Sequence, residues 1–209
     1  MAKSISGPTH IANMALSHVG ASDIESLEED SSEANQSRIF YDICRRQTLE
    51  AFDWTFARRR QEVALHGDII SETADDPLAG VWGFRHQYPA DALVIRKIQN
   101  PNAPPGDDFP FEIELSLDGE TKSILSNIEN PVIVYTRDIE DTGLFSALFS
   151  LALSYLLASL IAYPLGKKEK VVARVIRSYD VSVTNAAAND ANERMPTPER
   201  DADTIRARI

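Results

Sequence analysis

The chain has 209 residues and a formal net charge of −11 at pH 7, enough for one large domain or two small ones. That acidic balance makes the chain a poor candidate for tight, sequence-independent binding to a phosphate backbone, and an acidic wall repels a passing duplex without trapping it. The one cysteine, Cys44, excludes an internal disulfide framework and suits a reducing compartment.

The first residues carry one lysine, then Ser, Gly and Pro, with no apolar run behind them, so no signal peptide is expected. Pro8 fits the first turn of a helix, where its missing N–H costs nothing. Ile11, Met14, Ala15 and Val19 give that helix an apolar stripe, and Gly20 is a suitable C′ stop. His10 and His18 lie on or beside it without an acidic or cysteine partner at ligand spacing, so a metal is not expected.

Ala21 to Leu27 reads as a loop. Glu28, Glu29 and Asp30 with Ser31 and Ser32 suit a helix N-terminus, where carboxylates and hydroxyls meet unpaired N–H groups. The helix is predicted from Glu33 to about Ala51. Ile39, Phe40, Ile43, Cys44 and Leu49 are its expected buried side, with Cys44 an inert thiol. Arg38, Arg45 and Arg46 are expected to face out or toward a neighbour.

Phe52, Trp54 and Phe56 then form a heavy aromatic anchor, each ring contributing on the order of a few kcal/mol when buried. The functional alternative is a stacking platform for bases, with Arg58, Arg59 and Arg60 as phosphate contacts. Alternation from Arg60 to Leu65 instead predicts a half-exposed strand.

Gly67 to Gln87 is expected to be loop, with Trp82 and Phe84 alternating toward the extended turn Tyr88-Pro89-Ala90-Asp91. Four short strands follow, over Leu93–Ile98, Phe111–Leu115, Lys122–Leu125 and Val132–Thr136. Asp118-Gly119 is a hairpin signal between two of them. Together they predict one small antiparallel sheet inserted between helices.

No charged side chain lies between Asp141 and Lys167. A helix from about Ser146 to Tyr163 is apolar on nearly every side and must be covered on nearly every side. Ser146, Ser150 and Ser154, continued by Ala158 and Ala162, share one face and admit a close neighbour. A bundle post is favoured over a membrane span. Tyr163-Pro164-Leu165-Gly166 is a stop. A last helix, from about Lys168 to Asn192, lines up Val172, Val175, Ile176, Tyr179 and Val183. Arg194 to Ile209 is too polar to order itself.

The fold class expected is therefore α+β, mainly α: an antiparallel helical bundle with an inserted small antiparallel sheet and an extended C-terminal tail. Its parts are bundle helices in 1–57, a β-rich insertion in 58–140, further bundle helices in 141–193, and the tail in 194–209. There is no Gly-rich phosphate loop, Gly-x-Ser-x-Gly elbow or His-Glu-x-x-His run. The four histidines, His10, His18, His66 and His86, form no catalytic pattern. Asp107-Asp108 reads as a solvated loop pair. No catalytic, cofactor-binding or metal-binding residue and no cofactor is expected.

Three stretches occur in a recognisable order: the helix ending in Trp54-Thr55-Phe56-Ala57, the turn Tyr88-Pro89-Ala90-Asp91 with VIRKI after it, and VYTRDIEDTGLFSALFSLALSYLLASLIAYPLG leading into an Ala-rich closing helix. Across residues 12 to 193 the chain resembles the tail tubular protein A family of tailed bacteriophages. The resemblance implies a non-enzymatic virion protein of the tail or neck, assembled in the host cytoplasm as a head-to-tail adaptor ring, usually a dodecamer. Its implied partners are copies of itself, the portal protein, and the nozzle or tail tube protein. Double-stranded DNA would pass through its channel without sequence-specific binding. On that reading the tail, through Met195, Arg200, Ile205 and Ile209, docks on the portal. Arg58, Arg59, Arg60 and Glu62, with Arg137 and Asp141, are candidates for pairing between copies. The alternatives are a single-pass anchor using residues 143–165 and an enzyme with a dispersed acidic site.

Overall fold

The computed structural model describes residues 7–66, 78, 80–104, 107, 109–116 and 119–193. Four helices surround one apolar core, and six strands form two antiparallel three-stranded sheets over a second core. The class is α+β, as the pattern of the chain predicts.

Helix α1 spans Pro8–Val19 with Pro8 in its first turn. Gly20 ends it at φ 66°, a left-handed conformation that favours glycine. There Gly20 N–H donates to Ser17 O and Ala21 N–H to Leu16 O, which satisfies two terminal carbonyls. Helix α2 spans Ser32–Ala51, and the Ser31 hydroxyl accepts from Ala34 N–H at its start. Helix α3 spans Ala147–Ile161 and helix α4 spans Glu169–Asn192.

The apolar post α3 packs against α1, α2 and α4. Phe149, Leu153, Leu157, Ala158 and Ile161 are fully buried. Ser150 and Ser154 are buried too, as is Ala162. Ser146 departs from the predicted stripe: it stands before the helix as N-cap, accepting from Phe149 N–H at 3.1 Å. Among the described residues, no helix is long and apolar enough to cross a membrane.

Helix α2 is rotated relative to the expectation. Tyr41, Cys44, Thr48 and Leu49 face inward, but Ile39 and Ile43 are 51% and 56% exposed. Arg45, expected outside, is 1% exposed. Its burial is tolerated because its guanidinium donates to Asp42, to Asp138 and to the Ile139 carbonyl. Apolar spacing alone overlooks such neutralisation, so Cys44 and Leu49 are buried as expected while Ile39 and Ile43 are not. On α4, Val175 is buried and Val172, Tyr179 and Val183 are half-buried, whereas Ile176 lies at the edge and is exposed.

Strands β1 (Arg58–Glu62), β6 (Val132–Arg137) and β3 (Ala92–Gln99) form one sheet in the order β1-β6-β3. Strands β2 (Phe84–Gln87), β5 (Lys122–Ser126) and β4 (Glu112–Leu115) form the other, in the order β2-β5-β4. Two corrections follow. The insertion is two sheets instead of one, and Phe84–Gln87, expected as loop, is a strand. Its sequence, Phe-Arg-His-Gln, carries little apolar signal. What makes it a strand is pairing with β5, Phe84 opposite Ser126 through Gln87 opposite Ser123. Backbone bonds from His66 N–H to Arg85 O and from Gln87 N–H to Ala64 O join the chain after β1 to β2. Ile95, Ile98, Ile133 and Tyr135 of the first sheet share a core with Ile124 of the second. β4 and β5, on either side of the predicted Asp118-Gly119 hairpin, pair antiparallel, and Gly119 has φ 72°. Asp118 itself lies outside the described residues.

Candidate functional surface

The predicted pairing residues lie on β1, at the end of β6 and just beyond it. The aromatic anchor comes first. Trp54 is fully buried, and its indole N–H donates to Thr48 O at 2.8 Å. Phe149 of α3 meets Trp54 edge-on at 5.1 Å and Phe56 at 5.0 Å. A Trp54 ring enclosed in this way has no free face for a base, so the stacking-platform alternative loses its central residue. Beside it, Asp190 near the end of α4 accepts from Thr55 N–H and from the Thr55 hydroxyl, the latter at 2.8 Å. The last turn of the last helix is thereby tied to the entry of the first strand.

Asp91, at the end of the Tyr-Pro-Ala-Asp turn, is a hub. One carboxylate oxygen accepts from the Tyr135 hydroxyl at 3.0 Å. The other meets Arg59 at 3.0 Å and Arg137 at 2.9 Å. The turn is closed by Ala92 N–H donating to Pro89 O, and Asp138 N–H donates to Asp91 O. Burial, then the Asp91 hydrogen bond, pushes the Tyr135 phenol up to about 12, so it remains a donor throughout the physiological range. A groove of about 420 Å³ beside this hub is lined by Gln61, Val63, Gln87, Tyr88, Pro89 and Asp91. Asp91 already holds two guanidiniums and a phenol, which commits its lone pairs to structure and suits it poorly to proton abstraction.

The six residues proposed for pairing between copies divide accordingly. Arg58 pairs with Asp53, Arg59 and Arg137 with Asp91, and Asp141 caps Gly143 N–H at 2.8 Å, all inside the chain. Arg60 and Glu62 stand exposed on β1, an edge strand whose charges discourage uncontrolled edge-to-edge pairing. Met195, Arg200, Ile205 and Ile209 lie outside the described residues. Asp190 carries no signal in its own segment, because its partner Thr55 lies 135 residues away. Arg45, expected to face out, and Asp91, read as part of a turn, owe their roles to Asp138 and to Arg59 and Tyr135, which lie dozens of residues away.

Among the described residues, no group of three or more His, Cys, Asp or Glu side chains is placed to hold a metal ion. His18 stacks on Tyr155 at 3.9 Å, and its Nε2 lies 3.0 Å from the Ser154 hydroxyl. Burial, and then the nearby Arg174, lowers its pKa from the ordinary value. His86 is fully buried, with Nε2 at 3.0 Å from the Ser126 hydroxyl, and burial lowers its pKa as well. Cys44 is buried and its thiol is pushed up to about 12 by desolvation, which keeps it unreactive. Comparison with protein-family models and with curated proteins gives no match to this chain.

Proposed function

We propose that this chain is a structural subunit of a bacteriophage head-to-tail adaptor ring, joining portal to nozzle or tail tube and extending the DNA channel. The reading comes from the resemblance to the tail tubular protein A family. The observation that carries it further is the phase of α2. Its apolar post α3 is enclosed by the chain's own helices, yet Ile39 and Ile43 point away from that enclosure. One turn apart, the two form a small exposed apolar step on α2. Copies standing side by side in a closed ring would cover them. The net charge of −11 suits a channel through which DNA slides without sticking. No specific observation favours the membrane anchor or the enzyme.

The test is reconstitution. Purified chain is mixed with portal rings and imaged by negative stain. The expected product is a second ring seated on the portal. Deleting 195–209 is expected to leave a folded protein, judged by circular dichroism, that no longer joins the portal. Failure of the full chain to add any ring would overturn the proposal, and normal joining by the shortened chain would overturn the role of the tail.

A further inference from the structure

Helix α4 carries a basic stripe. Lys170, Arg174 and Arg177, followed by Val181, are spaced by four, three and four residues and so share one helix face. Between this face and α3 lies an open groove of about 470 Å³, lined by Tyr155, Arg174, Arg177, Ser178, Val181 and Ser182. No carboxylate lines it, in a chain whose acids outnumber its bases by 32 to 21. The arginines of α2 and the first two of β1 each meet a carboxylate. Arg174 and Arg177 form an ion pair with none of the described residues, and nearby Asp180 does not reach either. Asp190, the other acid further along α4, is turned to Thr55.

Both arginines are nevertheless held. Arg174 Nη2 donates to the His18 carbonyl at the end of α1, at 2.8 Å. Arg177 Nε donates to Ala173 O at 3.2 Å. A guanidinium has five N–H donors, so each retains several for an outside acceptor. The Tyr155 ring is fixed by its stack on His18, and Val181 is 61% exposed at the groove. The lining thus alternates fixed cations, hydroxyls and apolar surface.

We infer that the α3–α4 groove is a docking site for an acidic, partly apolar segment of a partner protein, its carboxylates taken by Arg174 and Arg177 and its apolar side chains by Tyr155 and Val181. Nucleic acid is the weaker match. The net charge of −11 repels an acidic peptide as well as a phosphate backbone, so the apolar part of the lining decides between them, and exposed Val181 offers nothing to phosphates. A peptide carrying Glu beside Leu uses every element of the lining. The inference stands apart from the adaptor reading, since an acidic partner of any assembly would serve.

The test is fluorescence anisotropy with the full chain and a labelled 12-residue peptide of alternating Glu-Glu-Leu triplets. Saturable binding that weakens as salt rises is expected. The double variant Arg174→Gln with Arg177→Gln is expected to bind at least about tenfold more weakly, because it removes both fixed cations. Arg38→Gln, on α2, is expected to bind like the parent, and unchanged melting would show that the double variant is folded. Absence of saturable binding would overturn the inference. So would equal binding of the peptide with Gln in place of Glu, or undiminished binding by a folded double variant. Preference for a 30-base-pair duplex through the same two arginines would also overturn it, assigning the groove to nucleic acid.

Discussion

Arg45 is the residue on which the charge of the interior turns. It is enclosed, and it joins α2 to the Asp138–Ile139 segment after β6. Arg45→Ala would leave the Ile139 carbonyl without this donor and Asp138 without one of its two guanidiniums. A loss of about 3 kcal/mol is expected, measured by urea unfolding. Tyr135→Phe deletes one hydrogen bond to Asp91 and is expected to cost about 1 kcal/mol. The two perturbed histidines set a pH dependence. Their folded pKa values lie below the unfolded value of about 6.5. The unfolded chain therefore takes up protons first as pH falls, so the histidine contribution is complete above about 6.5 and declines below it. His18→Gln is expected to flatten the fall in melting temperature between about pH 6.5 and 5, and an unchanged slope would exclude His18 as a contributor.

Elements are placed by which face they turn inward, and α2 is the instructive case. Its apolar residues allow two arcs, one through Ile39 and Ile43 and one through Tyr41, Cys44 and Leu49. The second is buried, since Arg45 on that side finds acceptors. Ile43→Ser is therefore expected to change stability by less than about 0.5 kcal/mol, as for an ordinary surface position. Ser154→Leu, by contrast, forces bulk into a closed contact under His18 and is expected to cost roughly 1–3 kcal/mol. Thermal melts of the two variants separate them. The end of α2 is held from outside the helix: Arg96 of β3 donates to the carbonyls of Leu49, Glu50 and Phe52. These are bonds that the helix cannot make for itself at its last turn.

At the scale of the whole molecule, two cores meet at a charged and aromatic joint. Trp54, Asp190 and Arg45 secure the helices there, while Arg58, Arg59 and Arg137 are occupied by aspartates of their own chain. If copies pair in a ring as proposed, salt-sensitive contacts draw on exposed Arg60 and Glu62. Ring yield is expected to fall between about 50 and 500 mM salt, scored by sedimentation. Equal yield at both would count against charge pairing between copies.

The sequence by itself determined the four helices, most strand positions and the enclosure of α3. Those follow from local signals: a proline start, a serine cap, a left-handed glycine, and an uncharged run that water cannot face. Only the tertiary structure decided the phase of α2, the strand at Phe84–Gln87, the division into two sheets and the hub at Asp91. Each of these depends on a partner distant in the chain, and a charge or a short polar strand changes meaning once that partner is beside it. The aromatic anchor lay between the two cases. Its weight was legible in Phe52, Trp54 and Phe56, but its attachment to Phe149 and the cap from Asp190 came from packing.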